Sequence, residues 1–251
     1  MAGGYAERWA PIIRPMAMPI FAALPLAIAD RVLDVGAGTG SMLPDIQAAA
    51  PHAKIFGADM AEGMLRVAKD SGWKTVLVSD AQQLGVRTGS IDVGLLIFAL
   101  FHLPDAAQGL IEMERVLRPG GRAGIVCWGT DPGAPGAAIW TEELNREGAG
   151  PDPRDPSVMQ VGIMNTREKL ENLIRSSGLA IAEIWSETFS HQFNLEELFG
   201  MQLTCGVAAR RLPSLSAESR ERCERRVRAR LETLTEDELN YKPEILFVVI
   251  G

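Results

Sequence analysis

Three glycines stand at alternate positions in the segment RVLDVGAGTGSML, at Gly36, Gly38 and Gly40, directly behind an apolar run that carries Asp34. Glycine adopts positive φ freely and lets another molecule approach bare backbone, so a turn of this kind can cradle a ligand. Ligands of an open parallel sheet bind beyond the carboxyl ends of its strands, which puts the first strand-to-helix turn where such glycines do chemistry. About 20 positions further on, Asp59 closes a second apolar run, KIFGADM, where a carboxylate can accept from the hydroxyls of a ribose. The spacing also discriminates between nucleotide ligands. It reads G-x-G-x-G, whereas the dinucleotide pattern G-x-G-x-x-G needs glycine at position 41, where Ser41 stands. That counts against a nicotinamide-dependent oxidoreductase.

Such residues need rigid strands behind them. The runs RVLDVGA (31–37), KIFGADM (54–60), KTVLVSDAQQL, SIDVGLLIFALFH and RAGIVCWG (122–129) predict five strands. Between them, SMLPDIQAAAP, AEGMLRVAKDSG and DAAQGLIEMERVLRPGG predict helices, the last ended by Pro119–Gly120–Gly121. Alternation of this kind implies a parallel sheet covered on both faces. Two loops rich in proline and glycine, GTDPGAPGAA and GAGPDPRDPS (148–157), flank a short helix. A further helix is capped by Thr166 and Gly178, a strand follows at 179–193, 195–239 reads as helical, and EILFVVI (244–250) is a last strand. The predicted organisation is an N-terminal helical lid (1–30), a core (31–194) with a loop-rich insertion near 130–165, a helical cap insertion (195–239) and a last core strand (240–251).

In order, VLDVGAGTG, GADMAEGMLRVAK, VSDAQQL, IDVGLLIFALFHLPD and EMERVLRPGGRAGIVCW resemble the successive motifs of the class I S-adenosylmethionine (SAM) dependent methyltransferases. The resemblance covers residues 31–128. It is nearest to the methyltransferase type 11 group, which includes the ubiquinone and menaquinone biosynthesis enzymes. It implies an α/β, Rossmann-like fold, with a mostly parallel seven-stranded sheet, helices on both faces and a helical cap. It implies SAM as cofactor and S-adenosyl-L-homocysteine as product. Carried over residue by residue, Gly36, Ala37, Gly38 and Gly40 form the loop against the methionyl part of SAM, with Asp34 anchoring the loop or the amino group. Asp59 takes the ribose hydroxyls and Met60 lies against the adenine face, unless Met60 is ordinary core packing. Asp80 with the Ala81 N–H reads the adenine edge, unless Asp80 only caps its strand. Phe98, ending the fourth strand, offers its carbonyl to the SAM ammonium.

The sulfonium of SAM is an activated methyl donor, so transfer needs chiefly alignment. A hydroxyl acceptor must also lose a proton to a group titrating near neutrality. His102, in FALFHLPD, follows the fourth strand at the ligand edge and is the candidate base; a pocket wall or a loop histidine bonded to backbone suits the same position. His191, ending a strand near the cap, is a second pocket residue, and His52 is assigned to the surface. The fourth strand ends in IFAL, not in the D/N-P-P-Y/F of adenine amino-group methylation, and no Pro-Cys dipeptide of a cytosine C5 enzyme occurs. The carboxylates used by divalent-metal catechol enzymes are also missing. The expectation is metal-independent transfer to the oxygen, carbon or nitrogen of a small, largely apolar metabolite. The alternative is a non-catalytic SAM-binding protein, a regulator or partner subunit of the same fold. The leader YAERWAPIIRPMAMPIF offers Tyr5 and Trp9 to the acceptor pocket, either as a lid over the cofactor or as a docked amphipathic helix.

Composition narrows the partners. The net charge of −7 repels polyanions, so neither nucleic acid nor an anionic membrane is expected. The arginines of AESRERCERRVRARLETL alternate with Glu218, Glu221, Glu224 and Glu232 at helical spacing, which makes a solvated cap helix with Cys223, Val227, Leu231 and Leu234 as its buried stripe. Three scattered cysteines without a C-x-x-C spacing predict reduced thiols. The apolar stretch PMAMPIFAALPLAIAD is punctuated by prolines and too short to span a bilayer, and a cleavage after Ala29 would cut at the edge of the first strand. A cytoplasmic protein, monomer or homodimer, is expected.

Overall fold

The computed structural model describes residues 2–154 and 161–251. Positions 155–157 of the second proline-rich loop, and 155–160 of the expected insertion near 130–165, lie outside the described residues. In chain order the elements are α1 (Ala2–Gly4), a π-helical turn (Tyr5–Trp9), α2 (Ala10–Ala17), α3 (Pro19–Ala22), β1 (Arg31–Val35), α4 (Leu43–Ala49), β2 (Lys54–Asp59), α5 (Glu62–Asp70), β3 (Val76–Val78), β4 (Ile91–Ile97), α6 (Ala106–Val116) and β5 (Leu117–Trp128). They continue with α7 (Ala137–Arg146), α8 (Arg167–Ser176), β6 (Ile181–Thr188), β7 (His191–Gln192), α9 (Leu195–Thr204), α10 (Val207–Arg211), α11 (Ala217–Leu231), β8 (Asn240–Tyr241) and β9 (Glu244–Ile250). The chain divides into two compact units.

The sheet unit holds residues 13–130, 161–187 and 244–251. Its seven strands run in the order β3-β2-β1-β4-β5-β9-β6. Strands β1 to β5 are mutually parallel, and β9 enters antiparallel to β5, with Ile125 opposite Val248. This is the mostly parallel, Rossmann-like α/β sheet that the sequence implies. Every residue of β4 is buried, as a strand covered on both faces demands. The strand order reverses between β1 and β4, so the turns that follow them leave in opposite directions and open a crevice at their carboxyl ends.

Boundaries differ from the sequence reading in instructive places. The helix expected to reach Pro119–Gly120–Gly121 stops at Val116, and Leu117 is already extended (φ −66°, ψ 138°). Pro119 disfavours helical backbone at Arg118, so the chain leaves the helix early and β5 begins opposite Ile91. The strand read at 179–193 is two pieces, β6 and the two-residue β7, and only β6 joins the large sheet. Thr166 caps α8 as expected, accepting from the Lys169 N–H at 3.3 Å.

The helical unit holds residues 2–12, 131–154 and 188–243. Its core contains Trp140 of α7 against Phe199 of α9, with ring centroids 5.3 Å apart. The predicted stripe Cys223, Val227 and Leu231 is buried, whereas α11 ends at Leu231 and leaves Leu234 beyond it, half-buried. Three Arg–Glu pairs at i,i+4 occur along α11. Four of its arginines do more than cover a solvated face: Arg228 pairs with Glu196 of α9, and three others reach the α7 region. Arg226 bonds Glu143 and Glu147 at 2.6 Å each, Arg222 bonds Glu147, and Arg230 bonds Glu142 and Glu143. The pairs tie α11 to α7, and they hold the Glu147 carboxyl down to about 2.

One clamp in the sheet unit fixes the long connection from β3 to β4. Arg115 of α6 donates to the Leu84 and Val86 carbonyls, each at 2.9 Å, and to Thr88 Oγ1 at 3.0 Å. It also pairs with Glu112, whose carboxylate accepts the Leu84 N–H at 2.7 Å. The Arg115 guanidinium is the main reason the buried Glu112 carboxyl lies below its ordinary value. Arg115→Ala leaves that carboxylate unpaired and should cost about 3 kcal/mol in chemical denaturation near neutral pH. A depressed carboxyl stabilises above its ordinary range and loses that contribution as pH falls, so the variant's deficit should shrink in acid. An unchanged denaturation midpoint at neutral pH would refute the clamp.

Candidate functional site

The site grows from the turn after β1. Gly36, Gly38 and Gly40 all have positive φ, at +81°, +56° and +73°. They differ in what surrounds them. A Cβ on Gly36 would lie 2.3 Å from the Ala99 Cβ, so only glycine lets the turn pass beside the end of β4. A Cβ on Gly38 would meet nothing closer than the Met64 Cε at 3.5 Å. Gly36 and Ala37 donate to the Ala58 carbonyl at 2.7 and 3.1 Å, which hangs the turn on β2.

Asp59, at the end of β2, closes the same arrangement from the other side. Its Oδ2 accepts the Gly38 N–H at 2.8 Å and its Oδ1 accepts the Ala61 N–H at 2.7 Å. The carboxylate therefore shapes the glycine turn as well as standing at the strand end. Asp34 is buried inside β1 without a hydrogen-bond donor among the described residues. Burial, assisted by the charge of Asp59, pushes its carboxyl up to about 7. Thr39, between the second and third glycines, is buried, and its hydroxyl has no hydrogen-bond partner among the described residues. The sequence reading passed over Thr39 although it sits inside the motif.

Around these groups, Met60 is exposed and so is not part of the core. Asp80 follows β3, and one of its oxygens accepts the Gln82 N–H at 2.8 Å, so it does cap its strand end. Gln82 in turn accepts from the Asp105 N–H at 2.7 Å and links that loop to the start of α6; it stands inside the motif VSDAQQL, whose reading gave it no role. Ala81, half-buried, lies between Asp80 and Gln82. Phe98 ends β4 with φ +50°, alone among the described non-glycine residues in having a positive φ. Its ring stacks on Trp128 with centroids 4.5 Å apart. A strained residue held by packing at a strand's carboxyl end is a mark of a functional position, at a cost of about 1–3 kcal/mol. His102 sits in the turn Leu100–His102, exposed, with its ring against Phe101 at 4.3 Å. His52 is exposed, as expected.

The other residues expected at the acceptor belong to the helical unit. Trp9 packs near Tyr241, with ring centroids 6.0 Å apart, and Tyr5 lies one helical turn before it. His191 meets Phe193 edge-on at 4.6 Å, and its Nε2 lies 3.2 Å from Glu197. Tyr241, unmentioned in the sequence reading, donates its hydroxyl to Asp131 at 3.0 Å, and burial raises its pKa. The structure thus brings Asp34, the glycine turn, Asp59, Asp80, Phe98 and His102 to one unit, and Tyr5, Trp9 and His191 to the other.

Among known proteins, a family model described as a methyltransferase domain matches residues 33–125. The chain is 35% identical over 104 residues to the ubiquinone/menaquinone biosynthesis C-methyltransferase UbiE of Syntrophotalea carbinolica, covering 39% of this chain and 44% of that protein. It is 31% identical over 135 residues to the 27-O-demethylrifamycin SV methyltransferase of Amycolatopsis mediterranei, covering 51% and 49%. The matches span about half the length of these curated relatives. A solved structure of geranyl diphosphate methyltransferase in complex with SAM shares the fold, with a TM-score of 0.53, 14% identity, and coverage of 95% of this chain and 84% of that one. Motif order, strand order and the matched segment agree: over residues 33–125 the chain is similar to methyltransferase domains, carried on a Rossmann-like sheet.

Proposed function

We propose that the protein transfers the methyl group of SAM to a small, largely apolar organic acceptor, without a metal. The observation that carries the reading is the turn at Gly36–Gly40, because its neighbouring groups are those a cationic amino-acid nucleoside would satisfy. Among the described residues Asp34 is a buried carboxylate without a donor and Thr39 a buried hydroxyl without a partner, and Asp59 is a carboxylate at the strand end. Each suits a different part of SAM: ammonium, carboxylate and ribose. Met60, Asp80 and Ala81 would hold the adenine, and the Phe98 carbonyl would take a second ammonium proton. Bound SAM supplies an electrophilic methyl on a sulfonium, and what remains for the protein is alignment. Tyr5, Trp9 and His191 would contribute to the acceptor's surroundings, within a lid and cap that read as 1–30 and 195–239.

The relatives' names supply both carbon and oxygen acceptors, and the acceptor here belongs to that range of small molecules rather than to nucleic acid. His102 suits the general-base role because it follows β4 at the ligand edge and is exposed. No helix of the described residues is long and apolar enough to cross a membrane, and the reading includes a cytoplasmic monomer or homodimer.

The direct test is incubation of metabolite extracts with methyl-labelled SAM, followed by isolation of a labelled product. Absence of label in a protein that binds SAM would favour a non-catalytic SAM-binding role. With the acceptor known and its nucleophile a hydroxyl, His102→Ala should lower kcat by about 10²–10⁴-fold with SAM affinity kept. A change in KM alone would make His102 a wall.

Two substitutions in the turn should separate folding from binding. Gly36→Ala forces a methyl onto Ala99 and should lower stability by about 2 kcal/mol or more. Gly38→Ala has room for its methyl, so calorimetric melting should show about 1 kcal/mol of backbone strain. It should nonetheless weaken SAM binding, by titration calorimetry, at least tenfold or so, since the bare backbone is the contact surface. Undiminished SAM affinity in a folded Gly38→Ala protein would be fatal to the cradle.

Asp34 adds a dependence on pH. Its carboxyl is raised from 3.8 to about 7, so between those values the folded state holds a proton that the unfolded state has lost. The stabilising contribution is complete below about pH 4 and is lost as pH rises through about 7. Asp34→Asn should therefore raise ligand-free stability near pH 8 and much less near pH 5. Binding a cation beside Asp34 should release a proton near pH 6, seen as a dependence of the binding heat on the buffer. The proton should vanish in Asp34→Asn; its persistence there would remove Asp34 from the site.

A further inference from the structure

The sheet unit has a second concavity, at the opposite end of the strands from the glycine turn. The side chains of Leu33, Phe56 and Leu77 share one face of β1, β2 and β3: Leu33 is in register with Phe56, and Leu77 with Ala58. The other face of these strands is covered, since Gly57 looks toward Leu43 of α4. Leu33 is in register with Gly94 of β4, which lies under Met113 of α6. Helix α6 thus covers this face at β4 but not farther out. The connection from β3 to β4 contains no helix that could roof β1, β2 and β3. The loop around Val86 and Arg87 reaches over them. A cavity of about 330 Å³ remains, lined by these apolar side chains with Arg31 and Arg87 among its walls.

The roof is built to stay in place. Arg115 holds three groups of the loop, the Gly89 and Ser90 N–H groups bond to the carbonyls of Arg115 and Val116, and Ser90 Oγ closes back on the Arg87 carbonyl at 2.6 Å. The two arginines of the cavity are differently placed from most arginines of the chain. Neither takes part in an ion pair among the described residues. Lys54, in register with Arg31, adds a third cation, 5.2 Å above the Phe56 ring. The nearby carboxylate of Asp92 is already satisfied by the Asp30 and Arg31 N–H groups and by Arg118. A cationic rim over an apolar floor in a chain of net charge −7 selects for a molecule with an anionic head and an apolar body.

We propose that this cavity is a binding site for a medium-chain carboxylate, separate from the cofactor edge, with the chain against Leu33, Phe56 and Leu77 and the carboxylate met by Arg31 and Arg87. Decanoate is the probe. Titration calorimetry in the presence of saturating S-adenosyl-L-homocysteine should give one saturable site. The exposed pair R31Q/R87Q should weaken it about tenfold or more, and decanol should bind more weakly than decanoate by a similar factor. Leu77→Trp, which fills the cavity, should abolish decanoate binding while leaving the affinity for S-adenosyl-L-homocysteine unchanged. Absence of saturable binding, equal affinity in R31Q/R87Q, or displacement of decanoate by S-adenosyl-L-homocysteine would each overturn the assignment. A dimer in sedimentation that Leu77→Glu dissociates, with no decanoate bound, would give the face to a second copy of the chain and overturn it equally.

Discussion

The carboxylate of Asp59 holds together two turns that belong to different strands. One oxygen takes the Gly38 N–H and the other the Ala61 N–H, so the glycine turn after β1 and the start of α5 share a single anchor. Both turns are at the carboxyl edge of a sheet whose strand order reverses beside them. Strand β4 and all of β1 after Arg31 are buried, so the edge is where polar backbone and solvent-facing groups can gather. Asp34, Thr39 and Phe98 are then placed by the same constraint: each is the residue at which a rigid, apolar strand or turn meets that edge. A carboxylate that orders the loop also biases its neighbour, and the raised Asp34 carboxyl is partly the electrostatic price of that arrangement.

Much of this edge was legible in the sequence because its chemistry is local. Glycines in a turn, an acid at the end of the next strand and a proline after a helix each act within a few residues, and their order along the chain matches the order of the strands. Asp80 shows where local reasoning divides. The sequence allowed both a strand cap and a ligand contact, and the bond from Gln82 establishes the first while leaving an oxygen for the second. Long-range pairings were not legible. Nothing near Arg226 indicates that its partners are Glu143 and Glu147, because a charged helix satisfied by its own i,i+4 neighbours and one satisfied by another helix have the same local pattern.

The helical unit makes the same point about segments. Residues 2–12, 131–154 and 188–243 come from three separate parts of the chain, and each looks on its own like a lid, a loop region or a cap. What unites them is contact between residues distant in sequence: Tyr241 with Asp131, Trp9 with Tyr241, Arg211 with the Gly150 carbonyl at 2.7 Å. Hydrophobic periodicity reports which face of a helix is buried and is silent about what buries it.

The antiparallel insertion of β9 has a consequence for biosynthesis. Trp128 pairs with Ile245 and Ala123 with Ile250, so one edge of the apolar strand β5 waits for chain that leaves the ribosome only after the whole 188–243 segment. During that interval the nascent sheet presents a row of unpaired amides flanked by Val126, Ile125 and Cys127, which is a template for association with other nascent chains. The core can therefore be completed only once the 188–243 segment and β9 have both been made, and holding chaperones that shield an open strand edge have a defined window in which to act.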